Sequence, residues 1–202
     1  FLLAITFVNG FFISPIYASI TNDYFVTSGT DASSGILKSF TQNDIQKLSI
    51  SDSETGNRVD RMRSDKWVDQ NLYDENKYLE FVFETDIPDN AVIEKVEITN
   101  EYYTTGTLVG AKLKLKKDNS YVDIPLNLPE KTGTVGEISQ VVEIGSFIDT
   151  LSDLQTVKIR FLAYRANVTA SGTTTGHDFI KLSVTYNLPD PDPDPIPESQ
   201  LY

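Results

Sequence analysis

The feature that most constrains this chain is strict two-residue alternation of apolar and polar side chains, repeated in several short runs. Lys112-Leu113-Lys114-Leu115-Lys116 places its leucines on one side and its lysines on the other. A strand turns successive side chains to opposite faces, so such a run has one dry face and one wet face. Leu79, Phe81 and Phe83 share a face against Glu80 and Glu84, and Val92, Val96 and Ile98 follow against Glu97 and Thr99. Val157, Ile159, Phe161 and Ala163 oppose Lys158 and Arg160. Ile180, Leu182, Val184 and Tyr186 oppose Lys181, Ser183 and Thr185. Strands with one apolar face each require a second layer to cover it. The expected fold is all-β: an antiparallel β-sandwich of Greek-key or jelly-roll type.

Turn chemistry supports that reading. Lys117-Asp118-Asn119-Ser120 separates the lysine-leucine run from Tyr121-Val122-Asp123-Ile124 and predicts a hairpin. Pro88-Asp89-Asn90 predicts the turn between the phenylalanine strand and the next. Ser146–Asp153 is the only helical candidate, and 29–43 and 167–176, rich in Gly, Ser and Thr, read as loops. The predicted core is Leu79, Phe81, Phe83, Val96, Ile98, Leu113, Leu115, Val157, Ile159, Phe161, Ile180, Leu182 and Val184.

The flanks differ from the middle. Residues 1–18, FLLAITFVNGFFISPIYA, carry no charge and end in Ile16-Tyr17-Ala18. Asn9, Gly10 and Pro15 interrupt the apolar run, which makes a poor spanning helix. It matches the apolar body and small-residue end of a secretory signal, with the basic leader missing. Residues 19–44 read as an irregular N-terminal segment and 45–187 as the β-domain. From Leu188 to Tyr202 prolines alternate with aspartates. Pro fixes the backbone near polyproline II and the carboxylates repel one another, so this reads as a semi-rigid linker to something further. The expected location is extracellular or at the cell surface, with no membrane insertion of the mature domain.

The 79–103 stretch, LEFVFETDIPDNAVIEKVEITNEYY, joins an aromatic strand, a proline turn and a second strand. With the closing HDFIKLSVTY, 177–186, before a Pro-rich spacer, it resembles secreted bacterial β-sandwich modules. These include carbohydrate-binding-module-like jelly rolls and repeat domains of cell-surface proteins. The resemblance covers about a third of the chain. It implies an exported, non-catalytic module with a structural or adhesive role, or one that recognises a polysaccharide.

Composition narrows the chemistry. The 202 residues carry 29 acidic and 17 basic side chains, a formal net charge of -12. Nucleic acid is disfavoured as a partner, because binding it needs cations that displace counterions from phosphates. The absence of cysteine removes disulfides and thiolate chemistry. The one histidine, His177, reads as a strand-edge residue bonded to a neighbouring loop. No serine lies in a G-x-S-x-G pattern and no phosphate-binding glycine loop occurs, so no catalytic residue is assigned and no enzymatic activity is expected.

Two residue groups remain as binding candidates. Trp67, Tyr73, Tyr102 and Tyr103 could stack on sugar rings if their faces point outward. Asp60, Asp65, Asp69, Asp74 and Glu75 could wrap a structural Ca²⁺, the only cofactor in view. Arg58, Arg61, Arg63 and Lys66 are interleaved with them, which favours a solvated charged surface instead. Asn167-Val168-Thr169 is a glycosylation sequon. The expected partners are neighbouring domains of a larger surface protein or a cell-envelope polysaccharide.

Overall fold

The computed structural model describes residues 18–49, 62–65, 67, 73–105, 108–125, 135–165 and 174–189. These form a mostly antiparallel β structure, a curled sheet with short helices at its margins. The strands are β1 (Ile20–Asp31), β2 (Lys38–Ser39), β3 (Met62–Arg63), β4 (Leu79–Glu84), β5 (Val92–Thr105), β6 (Leu108–Lys117), β7 (Ser120–Asp123), β8 (Val135–Glu143), β9 (Thr156–Arg165) and β10 (Thr174–Asn187). Their order across the sheet is β7-β6-β9-β4-β1-β10-β5-β8. The short β2 pairs with β1, and β3 with β10.

β1 produces the curl. Its first half pairs with β10, from Ile20 against Tyr186 to Phe25 against Lys181. Its second half pairs with β4, from Val26 against Phe83 to Asp31 against Leu79, after a register shift between Val26 and Ser28. A bulge of this kind bends a strand and raises its twist. Where β1 leaves β10, β3 takes its place, with Arg63 opposite Gly176 and Met62 opposite His177. Thus 20–31, expected to be irregular, is a central strand. The alternation there is hidden in Asn, Asp, Thr and Ser, and only Val26 is a buried apolar residue in the strand.

All thirteen predicted core residues are buried. The apolar faces of β4, β9, β6, β5 and β10 converge in one cluster with Leu48, Met62, Trp67 and Ile144. The predicted hairpin is present between β6 and β7, and Asp118 turns the chain with φ 54°. That left-handed conformation is one that Asp tolerates better than most side chains.

Three details depart from the sequence reading. Val92 was expected on the core face with Val96. The β5–β10 register shifts between Thr185 and Tyr186, so Glu94 is the extra residue and the phase changes there. Ile93 then packs on the core while Val92 stands 58% exposed. The helical candidate Ser146–Asp153 resolves into a 3₁₀ turn, Gly145–Phe147, and a helix α2, Leu151–Gln155. An unpredicted helix α1 spans Gln42–Lys47. Both α-helices start from a reciprocal capping box, Thr41 with Asp44 and Thr150 with Asp153. The T-x-x-D spacing was legible for both.

Candidate functional site

The candidate aromatic residues do not form a common surface. Trp67 and Tyr102 lie in the core, fully or almost fully buried, and Tyr103 is buried on the opposite face of β5. Tyr103 reaches across to Gly176, its register partner. A Cβ at Gly176 would run into the Tyr103 ring. The bare glycine backbone is what accepts the ring. Stacking a sugar requires an exposed ring face, and these three present none. Tyr73 is half-buried and lies edge-on to Tyr164 with centroids 4.7 Å apart.

Trp67 and Tyr102 instead help to enclose His177, which is fully buried rather than at a strand edge. A bulge at Asp178 separates the His177–Tyr102 pair from the Phe179–Glu101 pair. It lets Thr175 and His177 share the inner face with Ile180, Leu182 and Val184. Tyr102 stacks on the imidazole at 5.7 Å and 23°. Phe161 meets it edge-on at 4.8 Å, and Phe81 lies at 5.4 Å.

Both ring nitrogens are engaged. Trp67 Nε1 donates to Thr175 Oγ1 at 3.2 Å, and Thr175 Oγ1 lies 3.3 Å from His177 Nε2. Asn100 Oδ1 can only accept, so Nδ1 carries the proton and donates to it at 3.1 Å. The bare Nε2 then accepts from the Thr175 hydroxyl, whose oxygen accepts from Trp67. The order Trp67 → Thr175 → His177 → Asn100 suits a neutral imidazole. Burial acts the same way, lowering the His177 pKa from 6.5 to about 3. Burial among the same rings also raises the Tyr102 phenol. A base this weak, enclosed in the core, is unsuited to accepting protons near neutral pH.

Of the acidic group, Asp60 and Asp69 lie outside the described residues. The other three are each held by lysine. Asp65 accepts from Lys38 and, at 3.0 Å, from Ser34. The Lys38 bond is the main reason its carboxyl lies below the usual range. Asp74 caps a turn through Asn76 N at 2.9 Å and pairs with Lys77 at 3.2 Å, and both contacts lower it. Glu75 is raised by burial, but bonds from Lys114 at 2.6 Å and Lys112 at 3.2 Å outweigh that and leave it lowered. Among the described residues no group of three or more His, Cys, Asp or Glu could hold a metal ion. With Asp65, Asp74 and Glu75 each paired with lysine, calcium and sodium chloride at equal ionic strength are expected to shift the melting temperature by the same modest amount. A calcium-specific rise reversed by chelator, and lost in Asp65→Asn or Asp69→Asn, would refute this.

A second polar cluster was not foreseen. It lies on the outer face of β4, β9, β6 and β7, beneath the 73–78 turn. The Arg160 guanidinium carbon sits 3.6 Å from the Tyr78 ring centroid and 3.7 Å from that of Tyr121. Arg160 Nε donates to Glu80 Oε2 at 2.9 Å, and the Tyr121 hydroxyl donates to the same oxygen. Burial, and then that carboxylate, raise the Tyr121 phenol. Lys112 stands 4.7 Å over the Tyr73 ring. Tyr78 and Tyr121 lie at the ends of separate runs, and only the β4–β9–β6–β7 order brings them to one arginine. Nothing in the order of residues along the chain links either tyrosine to Arg160.

A cleft of about 350 Å³ opens beside the start of β5, lined by Ile93, Glu94, Glu143, Ile148, Asp149 and Leu151 among others. Asp149 there is paired with Lys117 at 2.7 Å. No helix among the described residues is long and apolar enough to cross a membrane. No family model matches the chain, and no curated protein matches it.

Proposed function

We propose that this chain is a non-catalytic β-module of a secreted or cell-surface protein, with a structural or adhesive role. In this reading the two limbs of the curled sheet pack as a sandwich of Greek-key or jelly-roll type. The observation that carries it is the position of the chain's entry and exit. Ile20 at the start of β1 pairs with Tyr186, and Val92 beside them pairs with Asn187 at the end of β10. The chain enters and leaves at one end, and the opposite end is held out from it. That arrangement suits a module displayed on a stalk, and the Pro/Asp run from Leu188 would supply the stalk. His177, Trp67, Asp65 and Glu75 support the reading, because all four are engaged in holding the fold together. The test is fractionation of the producing cells. The expected result is a protease-accessible, exported chain that begins near Ser19. A chain retaining residues 1–18 in the cytoplasm would overturn it.

A second reading, recognition of a polysaccharide, rests on the outer face that carries Tyr73, Tyr78, Tyr121 and Tyr164 beside Lys112 and Arg160. All four rings are partly exposed, and flat rings beside charged hydrogen-bonding groups are what sugar rings bind. Affinity for one polymer class on a glycan array, lost in Tyr121→Ala and Tyr164→Ala, would favour this reading over the first.

A further inference from the structure

The outer face of β4, β9, β6 and β7 carries two lysines that the clusters described above do not absorb. Leu115 pairs with Ile159 across β6 and β9, so Lys116 and Lys158, the next residues of the two strands, stand side by side. Their neighbours Leu115, Val157 and Ile159 are buried in the core, which turns both lysines outward, Lys116 exposed and Lys158 half-buried. The other cations of this face are matched. Glu75 and Asp123 pair with Lys112 and Lys114, and Glu80 pairs with Arg160. Among the described residues neither Lys116 nor Lys158 forms an ion pair, although Glu84 lies diagonal to Lys158 on β4. Building on the second reading above, that this face takes up a polysaccharide, we propose that the polysaccharide is acidic: its carboxylates meet Lys116, Lys158 and the Arg160 guanidinium, and its sugar rings meet the tyrosines.

The lysine pair runs against the composition of the chain. Acidic residues outnumber basic ones by 29 to 17, yet among the described residues none is paired with these two. Like charges directly opposite each other destabilise a sheet. An anion lying across both strands offsets that repulsion. Arg160 adds directionality. Its Nε donates to Glu80 Oε2 at 2.9 Å, and among the described residues its two terminal nitrogens have no hydrogen-bond partner. The Tyr78 and Tyr121 rings flank the guanidinium carbon at 3.6 Å and 3.7 Å, and its side chain keeps 21% of its surface exposed. The fork is therefore held in place before a ligand arrives, and little entropy is lost on binding. A guanidinium fork takes a carboxylate through two parallel N–H···O bonds, which an ammonium cannot do.

Strand pairing brings the charge and the rings together. Val82, Lys158, Lys116 and Tyr121 form one row across β4, β9, β6 and β7, and Glu80, Arg160, Lys114 and Asp123 form the next. Flat rings beside hydrogen-bonding groups suit a sugar. A neutral glycan would cover the rings and leave the lysine pair without a counter-charge. An acidic peptide would meet the cations and leave the rings without a sugar to cover. A glycan that bears carboxylates satisfies both. The net charge of -12 opposes the approach of any polyanion. At physiological ionic strength that repulsion is screened beyond about 8 Å, and the local cations decide the contact.

The experiment is calorimetric titration of the full chain with polygalacturonate, alginate and hyaluronate, each beside its methyl ester, which keeps the sugar and removes the charge. At least one of the three acids is expected to bind more tightly than its ester, and to bind more weakly as sodium chloride is raised. The double variant Lys116→Gln, Lys158→Gln is expected to keep the wild-type circular dichroism spectrum and to bind that acid about tenfold more weakly, the worth of two exposed ion pairs. Lys95→Gln makes the same kind of charge change on β5 and is expected to leave binding unchanged. An ester bound as tightly as its acid, or more tightly, would overturn the proposal and leave the second reading standing. No binding of any acid or ester would overturn both. Binding unchanged in the double lysine variant, or weakened as much by Lys95→Gln, would overturn the assignment to this face. Poly-L-aspartate bound as tightly as the best of the three acids would overturn the proposal in favour of an acidic polypeptide.

Discussion

Acidification to about pH 4.5 is expected to cost the fold roughly 3 kcal/mol through His177 alone. The unfolded chain takes up this proton near pH 6.5, whereas the folded chain resists it down to about pH 3. Between those values the unfolded state binds more protons, so stability falls as pH falls, by roughly 1.4 kcal/mol per pH unit. The stabilisation is fully present above pH 6.5 and is lost progressively below it. The lowered carboxylates Asp65, Asp74 and Glu75 act in the same direction, but only from their own reference values of 3.8, 3.8 and 4.5 downward. The interval from pH 6.5 to about 5 therefore belongs to His177. Urea denaturation at a series of pH values measures it, and His177→Gln, which cannot titrate, should be flat across that interval. An unchanged slope in the variant would show that some other group is responsible. Nitrogen NMR of the imidazole supplies an independent check: the ring should remain neutral, with its proton on Nδ1, at about pH 5.

Phe161→Ala is expected to destabilise the protein by about 3–5 kcal/mol. Phe161 is fully buried at the centre of β9, opposite Leu79 on β4 and Leu113 on β6. Its ring meets Trp67 at 6.1 Å, Tyr102 at 5.1 Å and His177 at 4.8 Å. Removing it opens a cavity against three rings that belong to other segments and cannot all move in to fill it. Dispersion contacts are lost as well as the transfer of the ring from water. Phe161→Leu keeps most of the volume and should cost less, below about 1.5 kcal/mol if the site repacks. The midpoint in urea should fall while the slope is retained. A loss below about 1 kcal/mol for Phe161→Ala would show that the site collapses onto the gap.

Several features of the protein were legible in the residues because they depend on local periodicity. The β4, β6, β9 and β10 faces follow from two-residue alternation, which any strand geometry enforces. Leu79, Phe81 and Phe83 had to share a side whatever they packed against. The β6–β7 hairpin follows from Asp118-Asn119, since few residues accept the positive φ required there. Where polar residues occupy a strand, that signal disappears. In Ile20–Asp31 the core-facing residues Ile20, Tyr24 and Val26 are interrupted by Asn22 and followed by polar residues, and the segment becomes a strand because β10 on one side and β4 on the other hydrogen-bond to its backbone.

The sites divide in the same way. Composition settles that His177 is the only imidazole and that no thiol is present. Whether that imidazole is exposed, charged or neutral depends on four strands and on Trp67, none of them its neighbours in sequence. The bulge at Asp178 turns His177 inward, and the one at Glu94 turns Val92 outward. Each shifts by one residue a pattern of period two, which reverses every face beyond it. Sequence alternation determines which side chains share a face; only the pairing of distant strands, with its bulges, decides which face meets the core and which is left to meet a partner.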